Sequence, residues 1–108
     1  MPRVIVSENA QSDLKRLYQF LASKNRSAAQ RAIQTIRQAF KPLREQPEIG
    51  RPIEDESGLR EIVIEFGASG YLALYHYEPG DDQAVILTIR HQREQQYSQP
   101  DNEDQENK

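Results

Sequence analysis

The residues best equipped for chemistry stand together near the end of the chain. Residues 86–97, ILTIRHQREQQY, pass from four strand-like residues into Arg90, His91 and Arg93 and end at Tyr97. Two guanidinium groups can clamp a phosphate, an imidazole can carry a proton near neutral pH, and a phenol can stack on a base or cover a core. The cluster fits a nucleic-acid edge, and it also fits a solvated strand end whose cations pair with nearby acids.

Two further features bear on this cluster. Arg60 opens the second predicted strand, and the sheet order would bring it near the end of the last strand, unless it only pairs with an acid. Tyr71, Tyr75 and Tyr77 alternate along one strand and would share a sheet face, which favours packing over a stacking platform.

The elements that must position these side chains follow from the periodicity. A β-branched run at residues 4–6 precedes Ser7, a good N-cap, and apolar residues then recur at helical spacing with Asp13 on the polar side. A second helix ends near Pro42, and three alternating segments follow at residues 59–66, 71–77 and 84–89. The sequence predicts an α+β fold of order β-α-α-β-β-β, in which an N-terminal helical hairpin packs on a small, mainly antiparallel four-stranded sheet.

Composition excludes several classes of protein. The chain of 108 residues has no cysteine and two histidines, so disulfides, thiolate chemistry and a structural zinc site are not expected. It has no phosphate-binding glycine loop, no His-Glu-x-x-His and no nucleophile elbow, and we expect neither a metal nor a cofactor. The N-terminal apolar run is three residues long, too short for a signal peptide, which indicates a cytoplasmic protein with no membrane association.

Charge is distributed unevenly along the chain. Residues 1–51 contain ten Lys or Arg and four Asp or Glu, whereas residues 52–108 contain four and thirteen. Residues 99–108 hold four acids, one base and no apolar side chain, a composition that cannot offset the entropy of ordering. We therefore predict one folded domain at residues 1–98 and a disordered acidic tail at residues 99–108.

The order of elements, with GLREIVIEFGASGYLALYHY followed by ILTIRHQREQQY, resembles the RelE/ParE superfamily of toxins from type II toxin–antitoxin systems. Upstream, the helix SENAQSDLKRLYQFL, the Ala28–Ala29 pair that opens the second helix, and LREQPEIGRP before the sheet are similar to the same superfamily. The resemblance covers residues 3–97 and rests on the order and spacing of these segments together.

This resemblance implies a bacterial toxin that a cognate antitoxin, encoded beside it, holds inactive in a hetero-oligomer. Operator DNA would be contacted only through the antitoxin. RelE-type members cut mRNA on the ribosome, whereas ParE-type members, known from plasmid stabilization, poison DNA gyrase. A toxin-like protein kept only as an antitoxin-binding module is a third possibility.

The residues favour the ParE type. RelE-like nucleases place Lys and Arg on the second and third strands, including an Arg directly after the third-strand Tyr, but here Tyr71 is followed by Leu72. The second strand presents Glu61 and Glu65, whose carboxylates would repel a phosphodiester. The ending RHQRE is more similar to ParE-type strands. We therefore expect a gyrase-binding toxin that is not an enzyme, with a ribosome-dependent mRNA endonuclease as the alternative.

The resemblance also implies residue roles. The expected target-binding residues are Arg60, Tyr71, Arg90, His91 and Arg93. In the RelE-like alternative, the catalytic residues would be Arg60, His91, Arg93 and Tyr97, with His91 as the proton carrier.

Cations on a helix surface usually only face solvent. Alternatively, those on the two helices bind an acidic segment of a partner. The resemblance implies that the antitoxin wraps the helical hairpin and the sheet edge. The cations expected to meet it are Lys15, Arg16, Arg31 and Arg37.

Overall fold

The computed structural model describes residues 1–53, 58–94 and 97, and the predicted acidic tail lies outside these residues. In chain order the elements are β1 (Arg3–Val6), α1 (Glu8–Ala22), α2 (Arg26–Ala39), a 3₁₀ helix (Lys41–Arg44), β2 (Arg51–Pro52), β3 (Arg60–Phe66), β4 (Ser69–Glu78) and β5 (Gln83–His91). None of the described helices is long and apolar enough to cross a membrane.

Both helices begin at side-chain caps. Ser7 Oγ accepts a hydrogen bond from the Ala10 N–H at the start of α1, and Asn25 Oδ1 accepts one from the Ala28 N–H at the start of α2. α2 ends at Ala39, before the 3₁₀ helix that contains Pro42, because proline cannot supply the N–H that an α-helix interior needs.

The strands form one mixed sheet in the order β1-β5-β4-β3-β2, with β1 parallel to β5 and the other pairs antiparallel. The predicted α+β class and the order β-α-α-β-β-β are confirmed. The structure adds β2, a fifth strand of two residues at the edge beside β3, within the proline-containing segment between the 3₁₀ helix and β3. An edge strand tolerates Pro52 because its outer side needs no N–H donor.

The two helices cover one face of the sheet and form the core with it. The largest side chains that are fully buried there are Ile36, Leu43, Tyr75, Ile86 and Ile89. Tyr71 and Tyr75 are buried as predicted, whereas Tyr77 is half-buried and its hydroxyl donates to Asp82 Oδ1. Packing therefore accounts for two of the three tyrosines.

Side chains of α1 replace a neighbouring strand along the second half of β5. β1 pairs with β5 only as far as Ile86, which leaves the edge of β5 open beyond that residue. There the Leu87 carbonyl accepts hydrogen bonds from Ser7 Oγ and Asn9 Nδ2, each 3.1 Å long. The Ile89 N–H donates to a carboxylate on α1, Asp13 Oδ2, at 2.9 Å.

Asp13 was expected on the polar side of α1, and that expectation is wrong, because its side chain is buried with a relative exposure of 2%. The same Asp13 oxygen also accepts from Thr88 Oγ1 at 2.6 Å, and Arg16 lies 3.4 Å from the other oxygen. A buried polar group must be hydrogen-bonded to be tolerated, and the edge of β5 supplies the donors. Asp13 thus fixes the position of α1 relative to β5.

Gly70 allows β3 and β4 to approach closely at the start of β4. A Cβ atom at this position would lie 2.0 Å from the Ile64 carbonyl oxygen, a distance that no side chain can occupy. The Gly70 carbonyl also accepts from the Gln92 N–H at 2.8 Å, which ties the segment after β5 to β4.

We expect Asp13→Ala to lower the free energy of unfolding by about 2–4 kcal/mol, because the buried Ile89 N–H loses its acceptor and the hydrogen bond from Thr88 Oγ1 is lost as well. Urea unfolding followed by circular dichroism measures the change. Ser12→Ala, at the exposed neighbouring position, is the control and should change stability by less than about 0.5 kcal/mol. A loss for Asp13→Ala no larger than the control's would contradict the edge-filling role.

A second pair of variants tests the close approach at Gly70. Gly70→Ala should destabilise the protein by about 3 kcal/mol or more, because one of the two strands must move. Gly80→Ala is the matched control, since a Cβ there meets nothing within 4 Å. Equal unfolding midpoints for the two variants would show that the strands are not held together at this point.

Candidate functional site

The cationic cluster at the end of β5 is divided between the two faces of the sheet. Arg90 lies opposite Leu72 and His91 lies opposite Tyr71 in the pairing of β5 with β4. Because successive strand residues point to opposite faces, His91 lies on the face that the helices cover and Arg90 lies on the other face. The cluster predicted from the sequence is therefore two sites.

His91 lies in a cleft of about 690 Å³ between α1, the turn that joins β3 to β4, and the end of β5. We call this cleft the helix-side groove. The lining residues are Arg16, Leu17, Phe20, Leu21, Phe66, Gly67, Ala68, Ser69, Tyr71, His91, Arg93 and Glu94. Three predicted target-binding residues thus meet there, namely Tyr71, His91 and Arg93.

The imidazole of His91 is held on three sides. Its ring packs edge-on against the Tyr71 ring with centroids 5.3 Å apart, and its Nδ1 accepts from the Arg93 N–H at 3.0 Å. Its Nε2 lies 3.1 Å from Ser69 Oγ. Since Nδ1 acts as an acceptor, a neutral imidazole carries its proton on Nε2 and donates it to Ser69. His91 is therefore oriented, with both ring nitrogens engaged.

The walls of the helix-side groove are apolar and its rim is cationic. Phe20 on α1 is 66% exposed, and the Lys24 ammonium lies 5.2 Å from its ring centroid. Arg16 lies at the rim, where its guanidinium donates to Glu94 Oε2 at 2.5 Å, and Arg93 is exposed. Exposed aromatic side chains beside cations are typical of surfaces that bind a partner.

The opposite face of the sheet carries a second set of polar contacts, made by Arg51, Glu61, Arg90 and Tyr97, which we call the outer-face network. Arg51 donates to Glu61 Oε1 from Nε at 3.0 Å and also from Nη2. Tyr97 donates to Glu61 Oε2 at 2.6 Å, and the Arg90 guanidinium carbon lies 5.1 Å from the Tyr97 ring centroid. Arg90 and Tyr97 are thus engaged with each other and with Glu61.

The outer-face network sets the charge states of its members. Burial alone would raise the pKa of Glu61, but hydrogen bonds from Tyr97 and Arg51 and the charges of Arg51 and Arg90 lower it below its ordinary value. Burial and the hydrogen bond to Glu61 raise the pKa of Tyr97. At neutral pH, Glu61 is therefore an anion and Tyr97 a neutral donor.

Arg60 lies away from His91 and on the opposite face of β3 from its neighbour Glu61, so the expectation that it would approach the end of the last strand is wrong. It pairs with Tyr75 on β4, whereas His91 pairs with Tyr71. Tyr75 and Tyr71 are four residues apart, which is roughly 13 Å along a strand. Its Nη1 donates to the carbonyls of Glu48 and Gly50, at 2.9 and 2.8 Å. Arg60 therefore anchors the segment that precedes β2.

The four cations predicted to meet an antitoxin are all exposed on α1 and α2. Lys15 and Arg37 line a second, open cleft of about 530 Å³ with Val6, Gln11, Leu14, Tyr18 and Ile33. Arg16 lines the helix-side groove, and Arg31 donates to Ser27 Oγ on its own helix. Their role in binding stays a prediction.

The described residues contain no group of three or more His, Asp or Glu side chains that could hold a metal ion. The helix-side groove presents one oriented imidazole, exposed guanidinium groups and aromatic surface.

Sequence reasoning missed two parts of these sites. Phe20 is not part of the apolar stripe of α1. It lies four residues after Arg16 and four before Lys24, so the three side chains share one side of the helix. This spacing was the available sequence signal for an exposed aromatic residue among cations. Glu61 was treated as a surface acid, but its exposure is 6%. Its partner Arg51 lies on the short β2, for which the sequence held no strand signal.

Comparison with known proteins identifies the fold and then the family. The solved chromosomal ParDE system from P. aeruginosa matches with a TM-score of 0.71 and 24% identity, over 84% of this chain and 96% of that one. The toxin–antitoxin complex RelBE2 from Mycobacterium tuberculosis matches with a TM-score of 0.55 and 25% identity, over 84% and 99% of the two chains. The fold is thus that of the RelE/ParE superfamily.

The sequence model of the family described as "ParE toxin of type II toxin-antitoxin system, parDE" matches residues 4–96. Toxin RelE3 of Caulobacter vibrioides is 35% identical over 94 residues, which span 87% of this chain and 98% of that protein. The protein belongs to the ParE toxin family of type II toxin–antitoxin systems, and the resemblance predicted from the sequence is confirmed.

The outer-face network should make stability depend on pH in the acidic range. Because folding lowers the pKa of Glu61 from about 4.5, its contribution is present above that value and is lost as the pH falls through the folded pKa. In urea unfolding between roughly pH 6 and pH 3, the wild type should lose more stability than Glu61→Gln. Glu65→Gln removes an exposed carboxylate from the same strand face, and identical profiles for the two variants would refute the assignment.

Proposed function

We propose that the protein acts as a ParE-like toxin by binding DNA gyrase through the helix-side groove, without breaking a covalent bond itself. The observation that carries this proposal is the separation of the four residues that an mRNA endonuclease would need together. Arg60 holds the segment before β2, Tyr97 is bound to Glu61 on the outer face, and His91 and Arg93 lie in the helix-side groove.

Ribonucleolytic attack by a 2′-hydroxyl needs a base, a cationic cradle for the phosphate and an acid for the leaving oxygen, all around one phosphodiester. Glu61, an anion held by Arg51 and Tyr97, occupies a position on β3 where RelE-like nucleases would be expected to present Lys or Arg. Leu72, which follows Tyr71, is buried. These placements support recognition of a macromolecule over cleavage of RNA.

The helix-side groove suits a protein target. It presents one exposed aromatic ring, Phe20, in the same groove as the oriented His91 and the exposed side chain of Arg93. Aromatic and arginine side chains dominate the binding energy of protein interfaces. A target segment that combines an apolar anchor with a carboxylate would match both the wall and the rim of the groove.

A cognate antitoxin is the second partner in this proposal, since two solved structures with this fold are toxin–antitoxin assemblies. We infer that an acidic, amphipathic segment of the antitoxin covers the cations of the helical hairpin, including Lys15 and Arg37 at the rim of the second cleft. An antitoxin segment that enters the helix-side groove would contact Arg16. The same segment would also exclude the target from the groove.

Purified protein should inhibit supercoiling by gyrase, or accumulate cleaved DNA, at stoichiometric concentrations. Truncation of two polar side chains of the groove, by His91→Ala or by Arg93→Ala, should in each case raise the half-inhibitory concentration about tenfold, equivalent to about 1.4 kcal/mol of lost contact. His76→Ala removes the other imidazole, which pairs with Glu78 away from the groove, and should match the wild type. No effect of folded wild-type protein in excess would exclude gyrase as the target.

The alternative function is a ribosome-dependent mRNA endonuclease, favoured by the presence of His91, Arg93 and Tyr71 in one groove. Primer extension on transcripts after induction of the toxin would distinguish the two functions. Codon-positioned cuts that disappear in His91→Ala would establish the nuclease, and intact transcripts during growth arrest would support the gyrase proposal. Normal growth on induction without antitoxin would indicate an inactive antitoxin-binding module.

A further inference from the structure

The helical layer carries a run of positive charge from the middle of α1 to the end of the 3₁₀ helix. Residues 14–44 contain eight Lys or Arg and no Asp or Glu, and all eight cations are exposed. Within the part of the chain that the structure describes, only Arg16 of these eight forms an ion pair. The balanced charge of the domain as a whole therefore conceals one strongly basic face.

Part of this charge lies in a single row along α2 and the 3₁₀ helix. Arg26, Gln30, Gln34 and Arg37 follow one another at spacings of four, four and three, which places them on one side of α2. Lys41 and Arg44 continue the row across the 3₁₀ helix, where residues three apart are eclipsed. The basic row, as we call these six residues, spans roughly 28 Å.

The six side chains of the basic row carry groups that can donate hydrogen bonds, and none of the six residues is aliphatic or aromatic, although Arg37 also borders the apolar cleft that contains Tyr18 and Ile33. A membrane-surface helix needs an apolar face beside its cations, and a helical peptide partner needs apolar anchors to fill a groove. Single-stranded nucleic acid is held by aromatic side chains that stack on bases. Arginine, lysine and glutamine in a row match instead the phosphate oxygens of a duplex backbone.

We propose that the basic row is a binding surface for the phosphate backbone of duplex DNA, separate from the helix-side groove. The choice of DNA over another duplex rests on the proposed gyrase function, because gyrase holds duplex DNA next to the protein it is bound to. Binding is independent of sequence, since the basic row contacts phosphates and places nothing in a position to read bases. The toxin thus contacts the protein through the helix-side groove and the DNA through the basic row.

Salt dependence gives the sharpest test, because each phosphate contact releases counterions and contributes about −0.9 to the slope of log K against log salt concentration. The four cations of the basic row predict a slope near −3.6, so affinity should fall roughly 150-fold between 50 and 200 mM salt. The measurement is fluorescence anisotropy of the full-length protein with a labelled 20-base-pair duplex, without gyrase present.

The variant R26Q/R37Q/K41Q/R44Q should bind this duplex at least 100-fold more weakly at 50 mM salt, with a slope near zero. Single substitution Lys41→Gln should lower the slope by about 0.9. Arg3→Gln, which removes one exposed cation on β1, is the matched control and should leave both affinity and slope unchanged.

Three results would overturn the proposal: no binding of the wild type to duplex DNA at 50 mM salt, equal binding by the quadruple variant, or tighter binding to anionic vesicles or a poly-glutamate peptide than to DNA. Preference for duplex RNA over DNA would overturn the choice of DNA. Since gyrase is absent from the measurement, failure here leaves the supercoiling assay as an independent test of the gyrase proposal.

Discussion

The contact between Asp13 and the edge of β5 is the interaction on which the candidate site depends. β1 covers only the first part of that edge. Beyond it, the Asp13 carboxylate accepts the hydrogen bond of the Ile89 N–H, in place of the carbonyl of a neighbouring strand. The next turns of α1 then lie beside the end of β5, where Leu17, Phe20 and Leu21 form one wall of the helix-side groove. Together with the hydrogen bonds of Ser7 and Asn9 to Leu87, this contact sets the position of α1 relative to His91.

A second constraint, the two-residue period of a strand, decides which side chains reach that groove. Arg90 and His91 are neighbours in sequence and lie on opposite faces of the sheet, so the first joins the outer-face network and the second enters the groove. The outer-face network then binds Tyr97 to Glu61, which places residue 97 against the uncovered face of the sheet. The groove that we propose as a recognition surface and the outer-face network both take residues from this single run.

The order and type of the main elements could be predicted because local signals determine them. The sequence alone shows these signals: the caps at Ser7 and Asn25, the helical spacing of the apolar residues, and the alternation along β3 to β5. The short β2 could not be predicted, since two residues with a proline carry no strand signal and form a strand only because β3 is beside them.

The candidate site was predicted less well than the fold, for a physical reason. Tyr71, His91 and Arg93 were identified, and they share one groove, but the place of Arg60 depends on the register between β3 and β4, which no local pattern specifies. The burial of Asp13 and Glu61 likewise depends on partners distant in sequence, Ile89 and Tyr97. The opposite orientations of Arg90 and His91, in contrast, followed from strand alternation and were available from the sequence.

The central claim is that the target binds the helix-side groove and leaves the outer face free, and cysteine protection tests it most directly, because the chain has no cysteine of its own. Ala68→Cys places a thiol on the groove and Val63→Cys places one on the exposed outer face. With gyrase bound, maleimide alkylation should slow at position 68 and proceed at an unchanged rate at position 63. Protection at position 63 with free reaction at position 68 would contradict the account.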